Sequence, residues 1–274
     1  MTVLYRGLVS GQYVYWNSNQ VTPSGVSDTI ILNDNVTPRL LTRPPLDSNH
    51  THVWYLGEGC TTDGINIIPE VGGITMTKFS GTGSLTTGYG IFNTQKSALL
   101  SGSTQGLNGF NGNIDISTTS SVTFECIARI PSWGTDTGVI GQYQPFVQLT
   151  SDSPYDQINF NYVWASNQFH FTTAIAANYN TQAINYGAGN WGTVVPEIPH
   201  HFMTTWDYST KVVKYYIDGY NFATYTWGSN RGRAFKYVQI YMAPNGFSVA
   251  DVRISDVVRS QGYALAATNA MRSL

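Results

Sequence analysis

Three observations predict an all-β chain folded as an antiparallel sandwich. Within Ile198 to Trp227 two apolar runs meet at Asp218-Gly219, and a two-residue Asp-Gly connection is the strongest short-range hairpin signal, because a type I′ turn needs positive φ at both central positions. Ser121 to Ile130 is the clearest single strand, with Val122, Phe124, Cys126, Ala128 and Ile130 inward and Thr123, Glu125 and Arg129 outward. Further short apolar runs recur between turn residues, at Val53 to Leu56, Gly138 to Gly141, Phe146 to Thr150, Ile158 to Val163, Gln168 to Ala174, Lys236 to Met242 and Asp251 to Ser255. That spacing is the mark of a sandwich.

The hairpin sets a register. If Ile217 pairs with Tyr220, Tyr215 faces Phe222 and Val213 faces Thr224, so Val213, Tyr215, Ile217, Tyr220 and Phe222 present one side to a core. Phe202 to Trp206 adds a third strand through the polar turn Asp207-Tyr208-Ser209-Thr210, giving a meander with one buried face. Ser80 to Gly90 and Ser101 to Gly112, rich in Gly, Ser, Thr and Asn, read as loops flanking short strands such as Ser97 to Leu100. Gly262 to Met271 favours a helix.

The first fifty residues stand apart. Gln12 to Trp16 and Thr29 to Leu32 read as short strands, Pro23-Ser24-Gly25 as a turn, and Arg43-Pro44-Pro45 as an extended linker. They are too poor in apolar residues to close a core of their own, so residues 1–50 are expected to be an arm that packs either on the sandwich, residues 51–274, or on a partner subunit.

The order of a His-His pair, an apolar strand, an Asp-containing turn, a strand ending in Tyr-Ile-Asp-Gly and a further strand resembles the LamG-like branch of the concanavalin A-like lectin/glucanase superfamily. Trp54 to Gly59 resembles that family's opening strand, Ser121 to Ile130 its long central strand, and Ala250 to Ser255 followed by Tyr263 to Met271 its closing strand and short terminal helix. The resemblance implies a jelly-roll β-sandwich. It also implies a place for structural calcium, with Asp251 the position to watch; no other cofactor is expected.

Composition narrows function. Aromatic residues make up 14% and charged residues 11% of the chain, with a formal charge of −2; no Lys or Arg run offers a polyanion a footprint, so nucleic acid is not an expected partner. No apolar run is long enough to span a bilayer, and the opening MTVLYRGLVSGQYVYW has no apolar h-region. The expectation is a chain made without a secretory leader in a host cytoplasm. Cys60 and Cys126 do not make a disulfide framework, and Cys126 reads as a small buried hydrophobe.

Catalysis by retaining glycosidases of this superfamily uses Glu-x-Asp-x-Glu on one strand. Glu occurs only at 58, 70, 125 and 197, none with an Asp two positions away. No nucleophile elbow or phosphate loop is present. His50-x-His52 and His200-His201 lack a Cys or carboxylate at ligand spacing. The expectation is therefore a protein that is not an enzyme.

The loops hold the remaining candidates. Trp133, Trp191 with Asn190, and Trp227 with Arg231 lie beside Gly and Asn, and a sugar presents an apolar face to stack on and hydroxyls to hydrogen-bond. The same aromatics could instead lid the ends of the core. The combined expectation is a lectin-like, adhesion-type module of a virion, such as a phage tail, fibre or decoration subunit, homo-oligomeric and recognising glycan or a partner protein of the assembly. A glycan-active enzyme on the same fold is the alternative.

Overall fold

The structure, a computed structural model, describes residues 4–9, 12–17, 24, 27–33, 43–80, 84–88, 97–101, 109–129, 144–163, 168–185, 199–241 and 247–271. In chain order the strands are β1 (Leu4–Val9), β2 (Gln12–Asn17), β3 (Ser27–Asn33), β4 (His50–Tyr55), β5 (Asn66–Ile67) and β6 (Met76–Ser80). There follow β7 (Ser84–Gly88), β8 (Ser97–Ser101), β9 (Gly109–Ile116), β10 (Val122–Arg129), β11 (Gln144–Thr150), β12 (Gln157–Val163) and β13 (Gln168–Ile175). The last are β14 (Asn178–Asn185), β15 (Pro199–Trp206), β16 (Val212–Ile217), β17 (Tyr220–Thr226), β18 (Phe235–Tyr241) and β19 (Phe247–Ser255), and α1 (Gln261–Met271) follows them.

Two antiparallel sheets of eight strands form the sandwich. One runs β17-β16-β15-β10-β19-β8-β7 with β4 also on β19, and the other β14-β13-β12-β11-β18-β9-β6-β5. Strands β1 to β3 make a separate sheet in the order β2-β1-β3 that pairs with neither among the described residues.

Alternation decides which side chains meet between the sheets. Phe124, Cys126 and Ala128 on β10, and Phe202 on β15, face Val147, Leu149, Phe160, Phe169 and Phe171 of the other sheet in one core. Phe169 stacks on Phe202 at 4.5 Å and Phe124 on Phe160 at 5.2 Å, geometries worth about 0.5–1.5 kcal/mol each beyond the area they bury. A polar bond also crosses this core: the Tyr215 hydroxyl meets Thr173 Oγ1 at 2.6 Å. Burial drives the Tyr215 phenol well above its ordinary pKa, so it stays neutral there.

The Asp218-Gly219 turn forms as expected, with φ of 50° and 82°. Gly219 is required twice over, because a Cβ there would stand 2.6 Å from the Leu265 Cα of α1. The register differs from the simple alternation. Ile217 does pair with Tyr220 and Tyr216 with Asn221, but a bulge then sets Tyr215 opposite Ala223 and Val213 opposite Tyr225. Val213, Tyr215 and Ile217 remain buried, and Phe222 still reaches Tyr215 at 6.1 Å. The bulge adds local twist, which carries the edge strand round the core.

Polar composition also hid strands. Ser84–Gly88 pairs with β8, and Asn178–Asn185 pairs with β13, although neither has an apolar face that reads as a strand. Edge strands need only backbone partners on one side. The apolar run Gly138 to Gly141 lies outside the described residues.

The outer face of the β10 sheet is covered over its middle, Glu125, Arg253 and Asp251 being buried there. Helix α1 lies on it, placing Met271 on Ile127 and Ala250, and Ala264 on Met203 and Tyr216. Beside the helix runs the segment 43–49. Arg43 donates to Asp251 at 2.7 Å and to Glu58 at 2.9 Å, Arg253 donates to the Pro44 carbonyl, and Arg259 forks onto both oxygens of Asp47 at 2.6 Å. Under this cover Glu125 accepts from His201 Nε2 at 2.9 Å and from the Tyr263 hydroxyl, which in turn accepts from His50 Nε2. Burial opposes ionisation of Glu125, yet the His201 hydrogen bond and the fields of His201, Arg253 and His50 hold its carboxyl below the usual range.

Both oxygens of Asp251 are taken by guanidinium groups, so the position marked for calcium is neutralised by arginine instead. Cys60 and Cys126 are free thiols.

The Arg259 fork holds the Asp47 carboxyl down to about 2, against an ordinary value of 3.8. A depressed acid stabilises the fold above its unfolded pKa and loses that contribution as pH falls through the folded one. The stability difference between the native chain and Asp47→Asn, from urea unfolding, is therefore expected to be constant above about pH 5 and to shrink between about pH 4 and pH 2. A difference that stays level across that window would contradict the coupling.

Candidate functional site: a polar cleft on the outer face

Of the residues the sequence singled out, Trp133, Asn190 and Trp191 lie outside the described residues. Trp227 and Arg231 sit at one end of the sandwich with 9% and 4% of their surface exposed. Trp227 is stacked on Trp206 at 6.1 Å, and Arg231 donates to the carbonyls of Ser117 and Ser120 while lying 4.2 Å over the Phe235 ring. These two close the end of the core rather than offering a platform to a ligand.

A different site emerges on the outer face of the β12 sheet. Once Ile158, Phe160, Val147, Leu149, Val238 and Ile240 turn inward, period two sends their neighbours outward. Those neighbours are amides, hydroxyls and tyrosines: Gln148 and Thr150 on β11, Gln157 and Asn159 on β12, Tyr237, Gln239 and Tyr241 on β18. None of these seven side chains is charged; the charged neighbour on these strands is Lys236 of β18, paired with Asp115 at 2.7 Å. A cleft of about 480 Å³ opens over all of the seven but Asn159, walled by the 151–155 loop with the exposed Tyr155.

The registers join these side chains into one rung across the sheet. Asn66 pairs with Thr77, Thr77 with Asn111, Asn111 with Gln239, Gln239 with Gln148, Gln148 with Asn159, Asn159 with Thr172, and Thr172 with Thr181. All eight carry a neutral amide or hydroxyl. Neighbours satisfy many of these groups: Thr77 donates to Asn66, Thr172 meets Thr181, and Asn159 donates to Gln157. Two acceptors of the rung find no partner among the described residues, Asn111 Oδ1 and Asn159 Oδ1. With strands about 4.8 Å apart, the three steps between those residues span about 14 Å.

The wall of the cleft is held by a strained corner. Ala176 and Ala177 turn β13 into β14 with φ of 48° and 63°, a region that costs an L-residue about 1–2 kcal/mol. Asp156, 1% exposed, accepts from the Ala176 amide at 2.7 Å and the Arg233 amide at 2.9 Å, and its own amide donates to Ser151 Oγ. The Ala177 amide donates to the Tyr155 carbonyl. One buried carboxylate thus ties the hairpin, the 227–235 connection and the cleft loop together.

Chemically the cleft is a hydrogen-bonding surface with aromatic edges. Tyr237 donates to Asp152 at 2.9 Å and Tyr241 to Gln239 at 2.8 Å. Burial raises the Tyr241 phenol to about 12, so it acts as a neutral hydroxyl. Asp152 is the one carboxylate among the described residues lining the cleft. Among the described residues no three His, Cys, Asp or Glu side chains come together to hold a metal.

This face was legible in principle. Gln148-x-Thr150, Gln157-x-Asn159-x-Asn161, Gln168-x-His170-x-Thr172 and Tyr237-x-Gln239-x-Tyr241 are all polar alternations without charge. That signal sits in strands, whereas the aromatic residues expected to bind sugar sit in loop sequences.

Replacing Asp156 by Ala removes the buried acceptor of two part-buried amides, each bond to a charged group being worth about 1.5–3 kcal/mol. Asp156→Ala is expected to lose about 2–5 kcal/mol in urea unfolding, and Asp156→Asn less, since one acceptor is kept. A loss below about 1 kcal/mol for the alanine variant would show that the corner does not depend on this carboxylate.

No family model matches the chain, and no curated protein matches it by sequence. Solved structures do match its shape. The botulinum neurotoxin serotype G binding domain superposes with a TM-score of 0.61 at 12% identity, over 80% of this chain and 50% of that one. The binding domain of botulinum neurotoxin DC in complex with SialylT gives 0.58 at 12%, over 82% and 52%. The binding domain of Paraclostridial Mosquitocidal Protein 1 gives 0.56 at 13%, over 81% and 52%. The chain spans about half the length of these structures, and at such identity the likeness is one of fold: a β-sandwich of the kind found in toxin binding domains.

Proposed function

We propose that this chain is a non-catalytic recognition module that holds a neutral glycan in the cleft over β18, β11 and β12. The carrying observation is the uncharged rung of amides and hydroxyls, flanked by Tyr155, Tyr237 and Tyr241. Amides bond sugar hydroxyls in both directions, and tyrosine faces stack on the apolar side of a pyranose. A charged ligand would find no counter-charge on the rung. The lining groups come from three adjacent strands, Gln157 on β12, Gln148 on β11 and Gln239 on β18, which favours an oligosaccharide lying across the strands. The fold shared with toxin binding domains, one of them in complex with SialylT, agrees with a binding role, and the four-segment order resembling LamG-like domains supports the lectin-like reading.

The rest of the proposal concerns attachment. Strands β1 to β3 form a sheet of their own, and segment 43–49 is tied down by Arg253 and Arg259. This supports an N-terminal unit that docks on further copies or on a larger assembly, with a virion as the setting. Light scattering of the full chain and of residues 43–274 tests it: the full chain is expected to be oligomeric and the shorter one monomeric. Equal subunit numbers would remove the attachment role.

For the cleft, calorimetric titration with neutral oligosaccharides of increasing length is expected to show affinity rising with length. Gln148→Ala should weaken binding at least tenfold, since a stranded hydrogen-bond partner costs about 1–3 kcal/mol. Tyr155→Ala should also weaken it with Tm unchanged. Silence across a panel of neutral glycans, or binding indifferent to both substitutions, would refute the site.

A further inference from the structure

A second recess lies on the other sheet, at the β16–β17 end of its outer face, where the cover over Glu125 gives out. The bulge in the β16–β17 hairpin builds its floor. One residue of β17, Phe222, is left without an opposite partner and turns to the core ring of Phe171. Asn221 and Thr224 then come out on the same side as Lys214 and Tyr216 of β16, and the Thr224 hydroxyl donates to Asn221 Oδ1 at 3.2 Å. The facing wall is the connection from Val258 to Gln261, which leads into α1. It is fixed at two points: the Arg259 amide donates to Thr123 Oγ1 at 3.0 Å, and Ser260 Oγ accepts from the Tyr263 amide at 3.1 Å. Between floor and wall stands a cavity of about 410 Å³, a size usual for small-molecule sites.

The charge of this cavity is the reverse of the cleft's. Two charged side chains line it, Lys214 and Arg259, and both are cations. Asp256, two residues before Val258, is not part of the lining. Arg259 is already neutralised, since its guanidinium forks onto both oxygens of Asp47 at 2.6 Å. Lys214 is not: it is exposed and has no hydrogen bond or ion pair among the described residues. The remaining lining consists of the Thr224 and Ser260 hydroxyls, the Tyr216 phenol and the amides of Asn221 and Gln261, with the exposed Val258 as an apolar panel. In the cleft, by contrast, the charged lining residue is Asp152.

One uncompensated positive charge is complementary to a ligand with one negative charge. That matches a carboxylate better than a phosphate monoester, which carries nearly two charges at neutral pH. Hydroxyls and amides both donate and accept, as sugar hydroxyls require, and an apolar side chain suits the C–H face of a pyranose. We propose that this recess binds a sugar acid, a polyhydroxy molecule bearing one carboxylate, with Lys214 meeting the carboxylate and Thr224, Ser260, Asn221 and Gln261 meeting the hydroxyls. The site is independent of the neutral-glycan cleft, because it lies on the other sheet and the two share no lining residue.

The test titrates the full chain calorimetrically with sodium glucuronate and, as the neutral counterpart, with glucose at the same ionic strength. Glucuronate is expected to bind saturably, and glucose about tenfold more weakly or not at all. Lys214→Gln removes the charge at an exposed position, so its Tm is expected to match that of the native chain while glucuronate affinity falls about tenfold or more. Gln148→Ala, in the cleft, should leave glucuronate binding unchanged, and Lys214→Gln should leave neutral oligosaccharides unaffected, so that failure of either site is read separately from the other. Galacturonate oligomers distinguish two sources of the same chemistry: affinity rising with length supports the site as one for an acidic glycan, and binding of the monomer alone supports it as one for a free sugar acid. Absence of saturable glucuronate binding, equal affinity for glucose, or an affinity that survives Lys214→Gln overturns the site.

Discussion

The layer of aromatic rings between the two sheets is the constraint from which the remaining features follow. Phe202 stacks on Phe169, Phe124 on Phe160, and Phe171 meets Phe222 edge-on at 4.9 Å. Burying a phenylalanine is worth about 1.5–3 kcal/mol, and a one-residue slip of any strand would turn its whole apolar set outward. Register is therefore fixed wherever a ring enters this layer. Fixing Phe160 and Leu149 inward leaves Asn159 and Gln148 no choice but to face away, so the polar rung is a by-product of how the core is packed.

The two outer faces are treated in opposite ways. On the β10 sheet, Glu125, Arg253 and Asp251 are withdrawn from water beneath α1 and the 43–49 segment, and each finds partners there. Buried ion pairs of this kind add little net stability, because desolvation offsets the attraction. Their effect is positional: they admit one path for the segment that leads into β4. On the β12 sheet the cleft face is made mainly of neutral hydrogen-bonding groups, with Asp152 at its wall, and desolvating such neutral groups costs far less than desolvating charges. The covered face organises the chain, and the neutral face is suited to meeting another molecule.

Strain and compensation meet at the edge of that neutral face. Ala176 and Ala177 hold a backbone conformation better suited to Gly or Asn, and the bonds from their amides to Asp156 and Tyr155 keep them there. Positions over-determined in this way are common where a surface has to keep its shape for a partner. Asp156 belongs to three neighbouring segments, so the cleft wall is as rigid as the hairpin behind it.

By itself the sequence determined the all-β class, the Asp218-Gly219 hairpin, the inward set of β10 and the terminal helix, because each follows from turn chemistry or from period-two alternation within a few residues. Tertiary structure decided the rest. A bulge after Tyr216 shifted the far half of the hairpin, since twist in an edge strand depends on what it wraps around. Polar edge strands such as β14 formed because their neighbours offered backbone partners, a contribution that composition does not record. Glu125 reads as a solvent-facing residue until α1 and the 43–49 segment close over it. The polar rung is of the same kind: Gln148, Asn159 and Gln239 are far apart in the chain, and only strand pairing, a long-range property, aligns them.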